Sequence, residues 1–144
     1  MTVATIVAAL ESVLDDVTGV DQTSIDTYTP ATSTQGTALL ITPFGQSAVV
    51  QFTDLAGAKA RYIHRIPCEF WTKFSTGAQA TTIAAARDIG RLAVIALMTN
   101  DGTNYEIWPE EDITVSVTEV PVVIGDMAYI VTTVTVPVWE EVSV

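Results

Sequence analysis

One stretch of fifteen residues, 60–74, constrains the fold of this chain more than any other part of its sequence. Read with a period of two, it separates a largely apolar set of side chains from a largely charged set. The apolar set is Tyr62, His64, Ile66, Cys68, Phe70 and Phe74; the other set is Arg61, Ile63, Arg65, Pro67, Glu69, Trp71 and Lys73. Because successive side chains of a strand point to opposite faces of a sheet, the alternation predicts one long antiparallel strand with one buried face.

Pro67 lies inside this predicted strand. Proline has no backbone N–H to donate to a neighbouring strand, and within sheets it is found on edge strands or at bulges. We therefore expect the strand to lie at an edge of the sheet, or to be bulged at Pro67.

Two segments have the apolar period of amphipathic helices. The first covers residues 3–17 and is stopped by Thr18 and Gly19. The second covers residues 77–99, and its C-terminal half is apolar nearly all round. The apolar surface of that half must therefore pack against other elements on more than one side. A sheet can pack against one side, and either the first helix or another subunit can pack against the other.

The remaining segments predict further strands. The short ones are residues 25–28, 38–42, 47–52 and 105–108. Residues 113–120 and 128–139 are rich in β-branched side chains that alternate, so we expect them to pair as a long hairpin. The sequence thus predicts a single domain, 1–144, of the α+β class. Its sheet is mixed but mainly antiparallel, with two helices packed on one face and a long C-terminal β-hairpin.

Composition narrows the class of protein. A chain of 144 residues suits one domain with a real core, and a hydrophobic content of 49% argues against disorder. No apolar run is long enough for a membrane span, and the start MTVATIVAAL has no basic residue before its apolar stretch, as a secretory signal would. A single cysteine excludes an internal disulfide. We expect no contact with a membrane.

The formal net charge of −11 is unevenly distributed. Residues 1–58 and 92–144 contain acids and no base, so all the basic residues fall in between. An acidic protein repels phosphates and is a poor candidate for wrapping nucleic acid. The basic middle either meets an acidic surface of a neighbouring subunit or is simply solvated. The candidate inter-subunit contacts are Lys59, Arg61, Arg65, Lys73, Arg87 and Arg91.

The side chains that could carry chemistry do not form a site in the sequence. His64 and Cys68 would lie about 13 Å apart on a strand, too far for a nucleophile pair or a shared metal. Glu110, Glu111 and Asp112 lack the alternating ligands and the glycine of a calcium loop, so they read as solvated charge. We assign no catalytic, cofactor-binding or metal-ligating residue, and expect the protein not to be an enzyme.

Arg87 and Arg91 are four residues apart on the second predicted helix, beside Asp88. This spacing places both arginines on one helix face. The face is either an exposed surface with local ion pairs or a cationic patch that meets an acidic partner.

The order of parts along the chain resembles that of the tail terminator proteins of long-tailed bacteriophages, which belong to the head–tail joining proteins. The matching segments, in order, are the helix ATIVAALESVLDDVTGV, the connection DTYTPATSTQGTALLITP, the strand IPCEFWTKF, the helix AQATTIAAARDIGRLAVIALM and the closing strand TVTVPVWEEV. They span nearly the whole chain. Other head–tail joining proteins, notably tail completion proteins, share a similar small fold.

The resemblance implies a homo-hexameric ring at the head-proximal end of the virion tail, made in the host cytoplasm. The ring would cap the tail tube, stop its polymerisation and meet the neck or connector proteins of the head. DNA would pass through an acidic lumen without sequence recognition. The turns at 54–60 and 120–128 are then candidate contacts with the ring or the tube. A tail completion or neck protein is the alternative, and a small soluble enzyme with clustered acids is a third reading.

Overall fold

The computed structural model describes residues 3–25, 37–42, 46–54, 59–74, 77, 79–99, 106–107, 111–118, 120–124 and 127–143. Within these residues the chain forms two helices and eight strands of one sheet. The helices are α1 (Val3–Leu14) and α2 (Gln79–Thr99). The strands are β1 (Val20–Ile25), β2 (Thr37–Ile41), β3 (Gln46–Asp54), β4 (Lys59–Lys73), β5 (Glu106–Ile107), β6 (Thr114–Val117), β7 (Val122–Ile124) and β8 (Met127–Ser143).

Two long strands, β4 and β8, form the centre of the sheet. They pair antiparallel over the whole of β4, from Lys59 opposite Ser143 to Lys73 opposite Tyr129. On the far side of β4 lie β2 and β3, and on the far side of β8 lie β5, β6 and β7. Only β1 pairs in parallel, with β2, among the described strands. The sheet is therefore mixed and mainly antiparallel, which confirms the predicted α+β class.

The predicted C-terminal hairpin is present in two sections. β6 pairs with Thr132–Thr135 of β8, and β7 pairs with Met127–Tyr129. Between the sections, the backbone N–H of Thr118 donates to the Val131 carbonyl at 3.0 Å. β8 extends beyond the predicted segment because its C-terminal half pairs with the first half of β4.

Pro67 does not lie on an edge strand. β4 has neighbours on both sides, and its register with β8 runs past Pro67 without a shift, so the expectation of an edge or a bulge there is wrong. On the other side, pairing with β3 ends at Arg65 and pairing with β2 begins at Cys68. The Pro67 carbonyl accepts the Thr42 N–H on that side, at 3.2 Å. Since the N–H and C=O of a strand residue point the same way, the missing N–H falls in the gap between β2 and β3.

The first helix is shorter than predicted, and the strand after it begins earlier. α1 ends at Leu14 rather than residue 17, and the chain turns at Gly19, whose φ of +100° favours glycine. β1 then starts at Val20, upstream of the short strand predicted at 25–28. Residues 26–36 lie outside the described part of the chain.

The core lies between the helices and one face of the sheet. From its predicted apolar set, β4 contributes Ile66, Cys68 and Phe70 to this core, and β8 contributes valines from the same face. The principal members are Ile66, Cys68 and Phe70 on β4, Val134, Val136 and Val138 on β8, and Ile6, Leu10, Leu14, Ala93 and Leu97 on the helices. α1 packs against α2 and supplies the second cover that α2 requires.

The other face of the sheet is less uniformly polar than the sequence predicts. Ile63, which belongs to the charged set, is only 1% exposed. Leu40, Tyr129 and Val131 share this face by strand alternation and are also buried. The described helices pack on the opposite face, so they are not what buries these residues.

Candidate interaction surfaces

The face of the sheet opposite the helices gathers most of the charged side chains of β4. We call it the open face, since neither of the described helices packs against it. By strand alternation it carries Arg61, Arg65, Glu69, Trp71 and Lys73 on β4, and Tyr129, Trp139 and Glu141 on β8.

Arg61 is held at one end of the open face by an aromatic ring. Its guanidinium carbon lies 4.8 Å from the centre of the Trp139 ring. Trp139 is paired with Ile63, so Arg61 reaches it diagonally across the two strands. A cation over an indole face is an attractive contact. The Arg61 charge is therefore engaged within its own chain.

Arg65 is held by a second partner, Glu111, in the segment before β6. The Arg65 Nε donates to Glu111 Oε2 at 2.9 Å, and Nη2 donates to Oε1 at 2.5 Å. These hydrogen bonds raise the pKa of Arg65 and lower the pKa of Glu111. Glu111 of the predicted solvated acidic cluster is about one-third exposed, and it also has a specific partner in Arg65, which the sequence did not indicate. Asp112 is exposed, and Glu110 lies outside the described residues.

The Lys73 end of the open face holds two aromatic side chains, the half-buried Trp71 and the buried Tyr129, each with a buried polar atom that lacks a hydrogen-bond partner. The rings of Trp71 and Tyr129 meet edge to face, with centroids 5.7 Å apart. Neither the Trp71 indole nitrogen nor the Tyr129 hydroxyl makes a hydrogen bond of normal geometry. Burial raises the pKa of Glu69, and the nearby Trp71 N–H offsets part of that effect. Aromatic residues with a polar atom to satisfy are common where proteins meet.

The six basic residues predicted as subunit contacts do not form one patch. Arg61, Arg65 and Lys73 lie on the open face, whereas Arg87 and Arg91 are exposed on α2, on the other side of the sheet. The side chain of Lys59 lies outside the described part of the structure. The alternation in β4 already places Arg61, Arg65 and Lys73 on one face, and the packing of the helices on the other face then separates them from Arg87 and Arg91.

Arg87 and Arg91 lie on an exposed face of α2, where Arg91 forms a local ion pair. Arg91 Nη2 lies 2.9 Å from Asp88 Oδ1, and both side chains are more than half exposed. Such a pair contributes about 0–1 kcal/mol. Arg87 borders a concavity of about 280 Å³ together with Ile83, Val117 and Thr118.

His64 and Cys68 lie on the helix face of the sheet, as the alternation predicts. His64 Nε2 lies 2.8 Å from Glu140 Oε1, with both side chains almost buried, and the Tyr62 ring is 4.9 Å from the imidazole. Glu140 is 76 residues away along the chain, and nothing in the sequence marks it as the partner. Burial raises the pKa of the Cys68 thiol to about 12, so the thiol stays protonated and is a poor nucleophile.

An exposed apolar surface lies along β6 and β7. We call residues 114–118 and 120–124 the β6–β7 arm. Its exposed large apolar side chains are Val115 at 42%, Val120 at 74% and Val123 at 67%. Both strands of the arm pair with β8, and no other described strand pairs with them. The arm includes the first part of the predicted 120–128 contact; for the 54–60 turn, residues 55–58 lie outside the described structure.

Two further properties bear on what the described residues can do. They contain no group of three or more histidine, cysteine, aspartate or glutamate side chains placed to hold a metal ion. Neither described helix is long and apolar enough to cross a membrane.

In comparisons with known proteins, no family model matches the sequence and no curated protein matches it.

Proposed function

We propose that this protein is a structural component of a bacteriophage tail, a tail terminator. It forms a homo-hexameric ring at the head-proximal end of the virion tail. The ring caps the tube of tail tube protein, ends its polymerisation and offers its other side to the neck proteins of the head. DNA passes through the centre of the ring without sequence-specific contacts.

The observation that carries this proposal is the β6–β7 arm. Val123 on β7 and Val120, two residues before β7 begins, expose most of their side chains, and the outer edges of β6 and β7 pair with no described strand. Open strand edges pair readily with another chain, and exposed apolar side chains next to them favour a protein partner over solvent. In the proposed ring this arm contacts the neighbouring subunit or the end of the tube.

Charge supports the same proposal and narrows the residues involved. The net charge of −11 per copy suits the wall of a channel that DNA must cross without sticking. Arg61 and Arg65 already contact Trp139 and Glu111 within the chain. The exposed Arg87 is therefore the better candidate for a contact with an acidic surface of the next subunit.

The proposal is tested by adding the purified protein to polymerising tail tube protein of the same phage. Tube length is measured by electron microscopy, and the mass of the free protein by light scattering at two salt concentrations. We expect capped tubes of limited length and a six-copy ring, either in solution or on tube ends. V120D together with V123D should abolish capping, while M98D, an equally exposed apolar position on α2, should not.

Two outcomes would redirect the proposal. Tubes that grow to the same length with and without the wild-type protein would exclude a terminator. If the protein ignores the tube but binds the portal-side adaptor, it is a tail completion or neck protein instead.

A further inference from the structure

A concavity of about 280 Å³ lies between the first half of α2 and the β6–β7 arm. Ile83 and Arg87 line it from the helix, and Val117 and Thr118 line it from the arm. The concavity is therefore continuous with the surface that is proposed above to contact a neighbouring subunit. A partner that sits on the arm can also reach the side chain of Arg87.

Arg87 is the cationic group of this concavity, and it is exposed. Within the described part of the chain, no carboxylate forms an ion pair with it. The residues one helical turn away on either side, none of them acidic, are Ile83, Ala84, Gly90 and Arg91. The adjacent Asp88 is already engaged, with Oδ1 at 2.9 Å from Arg91 Nη2. Arg87 is therefore available to bind an anion.

The polar groups that line the concavity are hydrogen-bond donors. The Arg87 guanidinium carries N–H donors and no acceptor. Thr118 Oγ1 accepts the Val131 N–H at 3.0 Å, which leaves its hydroxyl hydrogen to donate elsewhere. Two donors beside one positive charge fit a carboxylate. The net charge of −11 per copy disfavours the phosphates of a nucleic acid as the occupant.

Two carboxylates without a partner lie at the end of α1. Asp15 and Asp16 follow directly after Leu14, where the helix ends, and both are exposed. The C-terminus of a helix carries partial negative charge, so a cation is favourable there and an acid is not. The last turn of α1 contains no base, and no described base forms an ion pair with either aspartate. This end of α1 is therefore suited to receive a cation.

The cation and these acids lie towards opposite ends of the sheet. α1 contacts β1 and β2, whereas the concavity lies beside β6, beyond β8 in the order of the strands. Glu106 and Asp112 are also exposed and outside the ion pairs of the described residues, but they lie on β5 and just before β6, on the same half as the concavity. Complementary groups at opposite ends of a subunit pair between copies, head to tail.

We infer that Arg87 of each copy binds Asp15 and Asp16 of the next copy. This inference rests on the proposed ring and names residues that join its subunits. The carboxylates enter the concavity, where Arg87 and Thr118 donate hydrogen bonds to them. A contact between two different patches is heterologous, and it generates a ring when the rotation from copy to copy closes.

The first test exchanges the charges. R87E and the double variant D15R/D16R should each lose ring assembly and fall to the monomer mass of 15.4 kDa, measured by light scattering. An equimolar mixture of the two should regain rings, because every contact between alternating copies is complementary again. R91E, at an exposed base on the same helix, is the matched control and should assemble like wild type. Rings that R87E leaves intact, or a mixture that stays monomeric, overturn the inference without affecting the ring proposal.

The second test detects the contact itself. R87K supplies an amine that a carbodiimide couples to a carboxylate in direct contact, and R91K is the control. Two isotopic forms of the variant are mixed, crosslinked with and without tail tubes, and mapped by mass spectrometry. We expect a link from position 87 of one copy to Asp15 or Asp16 of another, and none from position 91.

The outcomes of the crosslinking separate the two proposals. If wild type caps tubes but R87K gives no link between copies, the inference is overturned and the terminator stands. If the link forms but tubes grow to unlimited length, the subunit contact stands and the terminator is excluded. Absence of both the link and the capping overturns both.

Discussion

Arg65 at the centre of β4 is joined to Glu111 by two hydrogen bonds of 2.9 and 2.5 Å. The two residues are 46 positions apart in the chain, so the pair ties the segment before β6 to the middle of the sheet. Both side chains are about one-third exposed, which leaves the pair accessible to solvent. The contact is bidentate, a geometry that favours arginine over lysine.

Replacing Glu111 by glutamine should lower thermal stability near neutral pH but not in acid. Because the pKa of Glu111 is lowered in the folded state, its stabilising effect is present above the ordinary glutamate range. It is lost as the pH falls through the lowered value. Thermal unfolding of E111Q and wild type at pH 7 and at strongly acidic pH measures this, with D112N as the exposed control. An equal deficit at both pH values would contradict it.

Replacing Tyr129 by phenylalanine should stabilise the protein. Tyr129 is 2% exposed and its hydroxyl has no hydrogen-bond partner. Removing a buried, unsatisfied polar group relieves a desolvation penalty of about 1–3 kcal/mol. Urea unfolding of Y129F measures the gain, and Y62F, at a half-buried tyrosine on the opposite face, is the control. A loss of stability in Y129F would mean that the hydroxyl has a partner in solution.

Replacing Gly90 by alanine should destabilise the protein, although alanine is the better helix former. An added Cβ would lie 2.9 Å from Val115 Cγ1 and 3.0 Å from Thr132 Cγ2, which is closer than packed carbons tolerate. Overpacking of this kind costs about 1–3 kcal/mol of stability. This cost exceeds the stability that alanine gains over glycine through its higher helix propensity. The double variant G90A/V115A should recover part of the loss. Equal unfolding free energies for G90A and wild type would show that Val115 and Thr132 shift to accommodate the added methyl group.

Replacing His64 by leucine should destabilise the protein without removing any chemical activity. The change leaves the nearly buried Glu140 carboxylate without its 2.8 Å contact, at a cost of about 1–3 kcal/mol. The double variant H64L/E140L should recover most of it, since no uncompensated carboxylate remains. Unfolding free energies of the single and double variants measure the coupling. Loss of assembly in a stably folded H64L would give His64 a role beyond packing.

Local patterns in the sequence account for the elements and the class of the fold. The period of two in residues 60–74 predicts β4 and its buried face, and the helical period of residues 77–99 predicts α2. Both periods follow from backbone geometry over a few neighbouring residues, so they are visible without tertiary structure. The same patterns placed His64 and Cys68 correctly on the packed face.

The candidate surfaces were predicted less completely. Listing the basic residues in order gave one continuous segment, 59–91, but the fold divides it between the open face and the exposed side of α2. Of the exposed valines in the β6–β7 arm, only Val115 falls on the alternating run that predicts a strand; Val120 ends that segment and Val123 lies beyond it. No local pattern shows that all three side chains stay exposed in the fold.

The sequence by itself determined the helices, most strands, the buried face of β4 and the α+β class, because each depends on spacing between near neighbours. Only the tertiary structure decided which strands pair and that Pro67 on β4 lies opposite the gap between β2 and β3. It also decided that Arg65 contacts Glu111 and that His64 contacts Glu140. Those outcomes depend on contacts between residues far apart in the chain. Many strands of similar composition compete for such contacts, and the packing of the whole sheet against its helices selects among them.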